Sequence, residues 1–233
     1  MFIVSVLNTK GGVGKTTLSI VCAKHISRLG TEPKNVRVLD LDPAGEVSGA
    51  LAHGKRRGST HPRPTLAGFY EAWDILGVDF SKGKPLDVLR DAVEALGDVY
   101  AVVIDSKPSA GSEELIAAAV ADLVLVPVTP GIAEVNATEH VVRRLQKIQA
   151  ENGNGSPKIG IAPTRWVKRS KTASQNLEAL KSLGVPVLEV VYASNTVQET
   201  AAEGTLTVMR KCNARKEYYK QVCGGLDLIK EVL

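Results

Sequence analysis

Short apolar runs recur along the chain, and segments with helical spacing separate them. Six runs rich in Val, Ile and Leu have the length of strands: FIVSVL (2–7), VRVLD (36–40), YAVVID (100–105), LVLVPV (123–128), KIGIAP (158–163) and VPVLEVV (185–191). Continuously apolar strands that alternate with helices are typical of a mostly parallel sheet buried on both faces. The pattern therefore predicts a three-layer α/β fold, in which a mostly parallel, twisted sheet lies between two layers of helices.

The first helix is predicted directly after the first strand. Apolar residues follow Thr16 at intervals of three and four, which places them on one helical face. These residues are Leu18, Val21, Cys22, Ile26 and Leu29. The most apolar stretch, residues 115–128, contains Asp122 and Pro127, so it predicts a short helix and a short strand instead of a membrane span.

The composition fits one globular domain over residues 1–233, with 44% hydrophobic and 23% charged residues. The apolar N-terminal run has no basic leader before it and is expected to be a strand, not a secretory signal, so we expect a cytoplasmic protein. The three cysteines form no C-x-x-C pair. They are interpreted as buried free thiols and not as disulfide or metal ligands.

The formal net charge of +4 hides an uneven distribution. Residues 53–63 and 165–171 carry four bases each and no acid, and residues 210–220 carry five bases and one acid. Together these three segments have a charge of +12, so the rest of the chain has a charge of −8. A basic surface on an acidic body is typical of proteins that bind polyanions. The first segment lies within HGKRRGSTHPRPT (53–65), which is predicted to be a mobile loop.

A phosphate-binding loop is predicted at NTKGGVGKTT (8–17), between the first strand and the first helix. Gly14, Lys15 and Thr16 match the pattern G-x-x-x-x-G-K-[ST], but Thr9 replaces the first glycine and an extra Lys10 follows it. Glycines let backbone amides turn toward phosphate oxygens. The lysine of the pattern reaches the β and γ phosphates, and the threonine hydroxyl binds Mg²⁺.

Acidic residues end two other predicted strands. Asp105 closes YAVVID, where nucleoside triphosphatases place an acid that holds the metal. Asp40 and Asp42 end the second strand and point the same way, because side chains alternate along a strand. One of these two carboxylates could orient the attacking water, and the other could hold the waters of the metal or the loop.

The segments KGGVGKTT, LDLDP, YAVVIDSKPSAG and VADLVLVPVTP, in this order and spacing, resemble the ParA/MinD family of P-loop ATPases with a deviant Walker A motif. The resemblance covers almost the whole chain. It implies that ATP and Mg²⁺ are the cofactors and that ATP hydrolysis is slow without a partner. It also implies that Lys10 is the signature lysine, which reaches the nucleotide of the other subunit in an ATP-bound homodimer.

The resemblance further implies a role for each site residue. Asp42 would activate water, Thr16, Asp40 and Asp105 would hold the metal, and Lys10 and Lys15 would act with Asp42 in catalysis. The implied nucleotide-binding residues are Lys10, Gly11, Gly12, Val13, Gly14, Lys15, Thr16, Thr17 and, on the adenine side, Thr164 and Arg165. The chain departs from the family pattern at Ala44 and Lys107.

Seven residues precede Asn8, so no N-terminal helix-turn-helix domain is expected, and the chain resembles the short ParF-like partition proteins. The resemblance implies three partners: a second subunit, nonspecific double-stranded DNA, and a ParB/ParG-like centromere-binding adaptor that stimulates hydrolysis. No membrane partner is expected, and the protein should associate with the nucleoid. The candidate DNA-binding residues are Lys168, Arg169, Lys171, Arg210, Lys211, Arg215, Lys216 and Lys220.

Three alternatives to partition remain open. The same chemistry could position a protein organelle or other cargo on the nucleoid. A MinD-like membrane-positioning ATPase is disfavoured because Gly224 and Gly225 interrupt the C-terminal segment and Asp227 and Glu231 oppose anionic lipid. An iron-protein reductase or a dethiobiotin-synthetase-like ligase is disfavoured because the cysteines do not suit a shared cluster and no substrate site can be located.

Overall fold

A computed structural model describes residues 1–32, 34–41, 75–77, 83–106, 113–153 and 155–194. Within these ranges the strands are β1 (Phe2–Val6), β2 (Val36–Asp40), β3 (Ile75–Gly77), β4 (Ala101–Asp105), β5 (Leu123–Val128) and β6 (Lys158–Pro163). The helices are α1 (Lys15–Ile26), α2 (Pro85–Glu94), α3 (Glu113–Ala119), α4 (Ile132–Asn152) and α5 (Lys171–Lys181).

The six strands form one sheet in the order β3-β2-β4-β1-β5-β6, and every neighbouring pair is parallel. Parallel strands end at the same edge of a sheet, and ligands bind at that edge in open α/β sheets. The segment after β1 leaves the middle of this edge, between the ends of β4 and β5. The predicted α/β fold with a parallel sheet is confirmed.

Helices cover both faces of the sheet. Strand residues on one face of the sheet, such as Val4, Val38 and Val103, pack with α1 in the largest apolar cluster. Strand residues on the opposite face, such as Ile104 and Val124, pack against other helices. The strands are buried almost throughout because both faces carry apolar side chains.

Helix α1 is buried more completely than its spacing predicts. Leu18, Val21, Cys22 and Ile26 lie in the core as expected, and Leu29 packs against it. Ser19, Ile20, Ala23 and Lys24 on the other sides of the helix are also buried. The helix that begins at the phosphate loop is therefore a central element of the core, and Cys22 is a buried free thiol as predicted.

One predicted strand is wrong, and one strand of the sheet was not predicted. Residues 185–191 form no regular strand and contain one isolated bridge, between Ile161 and Val187. They do lie beside β6, and Val191 N donates to Pro163 O at 2.9 Å. Pro163 has no N–H to donate in return, so the ladder breaks there. The short edge strand β3 was not predicted.

None of the helices in the described part of the chain is long and apolar enough to cross a membrane. The apolar stretch at 115–128 instead folds as predicted, into the end of α3 and into β5.

Candidate functional site

The loop between β1 and α1 contains two glycines with positive φ and ends at the first turn of α1. Gly12 and Gly14 have φ of 71° and 94°, in the left-handed region that side chains disfavour. Gly14 is the N-cap of α1, and its carbonyl accepts a 2.9 Å hydrogen bond from Leu18 N. The loop therefore turns directly into a helix amino end, which favours an anion.

The two lysines of this loop have different environments. Lys15 is buried, and its Nζ donates to the carbonyl oxygen of Lys10 at 2.9 Å. Lys10 is half-buried, and its ammonium makes no hydrogen bond or ion pair within the described part of the chain. Lys15 is thus fixed to its own loop, whereas Lys10 is fixed only through its backbone.

Asn8 anchors the loop to the neighbouring strand and helix, a role that the sequence analysis missed. Its buried side-chain amide donates to Pro127 O at 2.8 Å and to Thr138 Oγ1 at 3.0 Å. Its side-chain oxygen accepts from Lys10 N at 3.1 Å. Both ends of the Asn8 side chain are satisfied, and together they set the position of the Lys10 backbone against β5 and α4.

Asp105 faces the first turn of α1. Its two carboxylate oxygens accept hydrogen bonds from Thr16 Oγ1 at 2.9 Å and from Ser19 Oγ at 2.6 Å. Asp40 pairs with Asp105 across the β2–β4 ladder, and both carboxylates are buried. The predicted strand-end acids and Thr16 are therefore together, and Ser19 is an additional polar residue of the same cluster. Its only signal in the sequence is a hydroxyl within an apolar helix.

The pKa of Asp105 is raised from 3.8 to about 7, mainly by burial and in smaller part by the nearby charge of Asp40. The hydrogen bonds from Ser19 and Thr16 and the charge of Lys15 lower the same pKa, but they do not offset burial. Near neutral pH, a carboxyl with this pKa exchanges its proton readily, so a cation can take the place of the proton. A positive ion that displaced the proton would hold the carboxylate ionised.

The oxygen atoms of Thr16, Asp40 and Asp105 fit a magnesium ion that is shared with a nucleotide. Mg²⁺ prefers oxygen ligands and usually binds through one or two carboxylates, water and substrate phosphates. The Thr16 hydroxyl donates its hydrogen to Asp105 and still has lone pairs for a metal. No cluster of three or more His, Cys, Asp or Glu side chains that could hold a metal occurs among the described residues. A dedicated all-protein metal cage is therefore absent from that part of the chain.

Thr164 lies behind the phosphate loop. Its hydroxyl donates to Val13 O at 2.7 Å, with Val128 O at 3.3 Å as a weaker second acceptor. The next residue, Arg165, is exposed and has a positive φ of 52°. The two residues predicted on the adenine side are thus next to the loop, but the Thr164 hydroxyl is bonded to protein backbone.

The basic segment 165–171 is at the same edge of the sheet, directly after β6. Lys168, Arg169 and Lys171 are exposed, and Lys168 Nζ lies 4.8 Å from the centre of the Tyr192 ring. The other predicted site residues lie outside the described residues: Asp42, Arg210, Lys211, Arg215, Lys216 and Lys220. The same holds for the departures at Ala44 and Lys107 and for the basic segment 53–63.

Comparison with known proteins decides the family. The profile of the CobQ/CobB/MinD/ParA nucleotide binding domain matches residues 4–208. The chain belongs to this family. It is a ParA/MinD-type ATPase, and the resemblance carried by the phosphate loop and the strand-end acids is confirmed.

The chromosome-partitioning ATPase Soj of Thermus thermophilus is one relative of this ParA/MinD-type ATPase. The two sequences are 32% identical over 187 residues, and the alignment covers 74% of this chain and 72% of Soj. The maintenance of carboxysome distribution protein A of Gloeobacter kilaueensis is 26% identical over 231 residues, covering 97% of this chain and 94% of that protein.

A similar solved structure is that of the putative plasmid partition protein of Borrelia burgdorferi B31 bound to AMPPNP. It has a TM-score of 0.73 and 18% identity, and the alignment covers 100% of this chain and 99% of that chain. At this identity the likeness establishes the fold, which agrees with the parallel sheet described above.

Proposed function

We propose that this ATPase is a nucleotide-dependent dimer switch for DNA partition. With ATP and Mg²⁺, two subunits close face to face, and the dimer binds double-stranded DNA of any sequence. An adaptor of the ParB/ParG type then stimulates hydrolysis, and the dimer opens and leaves the DNA. The protein would accordingly be found in the cytoplasm, on the nucleoid.

The observation that carries this proposal is the difference between Lys10 and Lys15. Lys15 already bonds to its own loop, as expected for a lysine that serves the nucleotide of its own subunit. The Lys10 backbone is held by Asn8, while its ammonium has no intrachain partner in the described residues. A half-buried ammonium group whose backbone is held in place can bind a phosphate group of the nucleotide in a second subunit.

Residues around the phosphate loop would also carry out ATP hydrolysis. Bound Mg²⁺ would neutralise phosphate charge, and Thr16, Asp40 and Asp105 would hold the ion or its waters. Lys15 would bind the phosphates of its own subunit, and the loop amides would orient them. Asp42, which follows Asp40 by two residues in the sequence and lies outside the described residues, would orient the attacking water.

The DNA contact is assigned to the basic residues after β6 and to those in residues 210–220. Lysine and arginine contacts to phosphates give binding that is independent of sequence and falls with salt. Lys168, Arg169 and Lys171 are exposed and have no acidic neighbour between residues 165 and 171. The described part of the basic surface is therefore accessible to a polyanion.

Light scattering tests the dimer switch directly. The wild-type protein should be monomeric with ADP and dimeric with a nonhydrolysable ATP analogue and Mg²⁺. Lys10→Ala should bind the analogue with nearly unchanged affinity but remain monomeric, whereas Lys15→Ala should lose nucleotide binding itself. Lys158→Ala removes an exposed lysine at the opposite edge of the sheet and is the matched control. A Lys10→Ala protein that dimerises like the wild type would refute the role assigned to Lys10.

DNA binding is tested on the same proteins with a labelled duplex of arbitrary sequence. The analogue-bound wild type should bind the duplex, and the logarithm of its affinity should fall linearly with the logarithm of the salt concentration. The double variants Lys168→Ala/Arg169→Ala and Lys211→Ala/Arg215→Ala should bind more weakly at low salt. Equal retention of DNA by both double variants and the wild type would contradict the assignment.

A second candidate function is the positioning of a protein organelle by the same switch. It is favoured by the relative named for carboxysome distribution, which covers nearly the whole chain. The partner separates the two functions: an adaptor that binds a centromere sequence supports partition, and an adaptor that binds an organelle shell supports positioning. A pull-down with the product of the adjacent gene would distinguish them. Co-sedimentation with liposomes in the presence of ATP would instead support a MinD-like membrane role.

A further inference from the structure

Thr164 connects the phosphate loop to the basic segment after β6. Its side chain is only 6% exposed, and its hydroxyl donates to Val13 O at 2.7 Å. Its backbone N–H donates to Val128 O, also at 2.7 Å. Thr164 is therefore fixed to β5 through its backbone and to the phosphate loop through its side chain.

The segment that follows, which we call the β6–α5 loop (residues 164–170), is held at several points. Trp166 is buried. Its backbone N–H donates to Val191 O at 3.0 Å, and its backbone carbonyl accepts from Ala193 N at 3.0 Å. At the other end, Ser170 caps α5 by accepting a hydrogen bond from Ala173 N.

Between these anchors the β6–α5 loop presents positive charge in a defined backbone conformation. Arg165 and Arg169 both have positive φ, which non-glycine residues adopt only where the surrounding structure imposes it. Lys168 is exposed beside the ring of Tyr192. Thr164 and the anchored Trp166 flank Arg165, so the position of Thr164 sets that of Arg165 directly. Lys168 and Arg169 follow Trp166 and are positioned through it.

We propose that Thr164 is a positioning residue that couples the nucleotide in the phosphate loop to the DNA affinity of the β6–α5 loop. The proposal rests on the proposed function, since it assumes that the basic residues contact DNA.

The coupling has a physical basis in one peptide unit. The carbonyl of Val13 accepts the hydrogen bond from Thr164, and the amide of the same peptide unit belongs to Gly14, one of the loop amides expected to bind phosphate. A phosphate that accepts from this amide polarises the peptide and strengthens the bond at its carbonyl. The nucleotide thereby favours the arrangement in which Thr164, and with it the β6–α5 loop, is held tightly.

The experiment measures how strongly nucleotide changes DNA affinity. Fluorescence anisotropy with a labelled duplex of arbitrary sequence gives the dissociation constant without nucleotide and with a saturating nonhydrolysable ATP analogue. The ratio of these constants is the coupling factor. Thr164→Val removes the hydroxyl with little change in shape, and Thr164→Ser retains the hydroxyl as the matched control.

We expect Thr164→Val to lose at most about fivefold of the coupling factor, the full effect of one neutral hydrogen bond. Light scattering with the analogue reports separately whether this variant dimerises. Thr164→Ser should keep the wild-type factor. In a Lys168→Ala/Arg169→Ala background, Thr164→Val should have a smaller further effect, because two of the bases that it positions are gone. A nonadditive cycle of this kind would not result from a general loss of stability.

A coupling factor for Thr164→Val within twofold of the wild-type factor would overturn the proposal while leaving the proposed function intact. A wild type whose DNA affinity does not respond to nucleotide would overturn both. Hydrogen exchange on the wild type gives a test without any variant. Amides of residues 165–170 should gain protection when the ATP analogue binds, and unchanged exchange there would also overturn the proposal.

Discussion

The buried carboxyl of Asp105 predicts that the nucleotide-free protein becomes less stable as pH rises. The unfolded chain releases this proton near pH 3.8, whereas the folded protein releases it near pH 7. Between these values the folded state binds more protons, so its stability is full below the lower value and is lost as pH rises through the higher one. Asp105→Asn removes the titration and leaves an amide that can still pair with Thr16 and Ser19.

The size of the effect follows from the two pKa values. A pKa difference of about three units corresponds to about 4 kcal/mol, of which about 2.5 kcal/mol is lost between about pH 5 and pH 8. Urea unfolding without nucleotide at several pH values in this range measures the loss. Other groups also titrate, so the informative quantity is the difference in slope between the wild type and Asp105→Asn. Asp98→Asn, which also removes one carboxyl and lies at an exposed position, is the matched control for the change in net charge.

Magnesium and nucleotide should change this pH dependence. Since an ion at the site would favour the ionised carboxylate, Mg²⁺ with ADP should stabilise the wild type more at pH 8 than at pH 6. Equal losses of stability by the wild type and Asp105→Asn between pH 5 and pH 8 without nucleotide would refute this role of Asp105. Equal slopes would mean that Asp105 does not exchange its proton with folding in this range.

Three further variants test separate parts of the site. Gly14→Ala should cost about 1–2 kcal/mol in urea unfolding, because Gly14 has a φ of 94°, and should also weaken nucleotide binding. Gly30→Ala, with a φ of 84° away from the site, should cost similar stability but leave nucleotide affinity unchanged. Asn8→Ala leaves buried partners unsatisfied and should lower stability by about 2–3 kcal/mol, or several degrees in thermal melting, together with a loss of analogue-dependent dimerisation. Asp42→Ala should bind ATP and remain dimeric without turnover, and hydrolysis at the wild-type rate would show that another group orients the water.

Much of the site could be predicted from the sequence because its signals are local. The glycines and lysines of the phosphate loop are consecutive, and the period of two along β2 and β4 places Asp40 and Asp105 on the face that carries α1. The same period explains why both strand-end acids reach the helix that begins at the loop.

Other features depend on distances that no local pattern contains. The bonds from Asn8 to Thr138 and from Thr164 to Val13 join residues 130 and 151 positions apart. The strand predicted at 185–191 was wrong because its pairing depends on the neighbouring strand, where Pro163 lacks a donor. The edge strand β3 is only three residues long and has no periodic signal of its own.

The burial of α1 on nearly all sides links nucleotide occupancy to the lifetime of the whole protein. The helix that starts at Lys15 also supplies the centre of the largest apolar cluster, so the loop cannot open far without exposing that core. A ligand that binds only the folded loop stabilises the entire domain, by about 2.7 kcal/mol at a hundred times its dissociation constant. Proteolysis through transient unfolding would therefore remove nucleotide-free molecules first, and the amount of protein that persists in a cell would follow its supply of nucleotide.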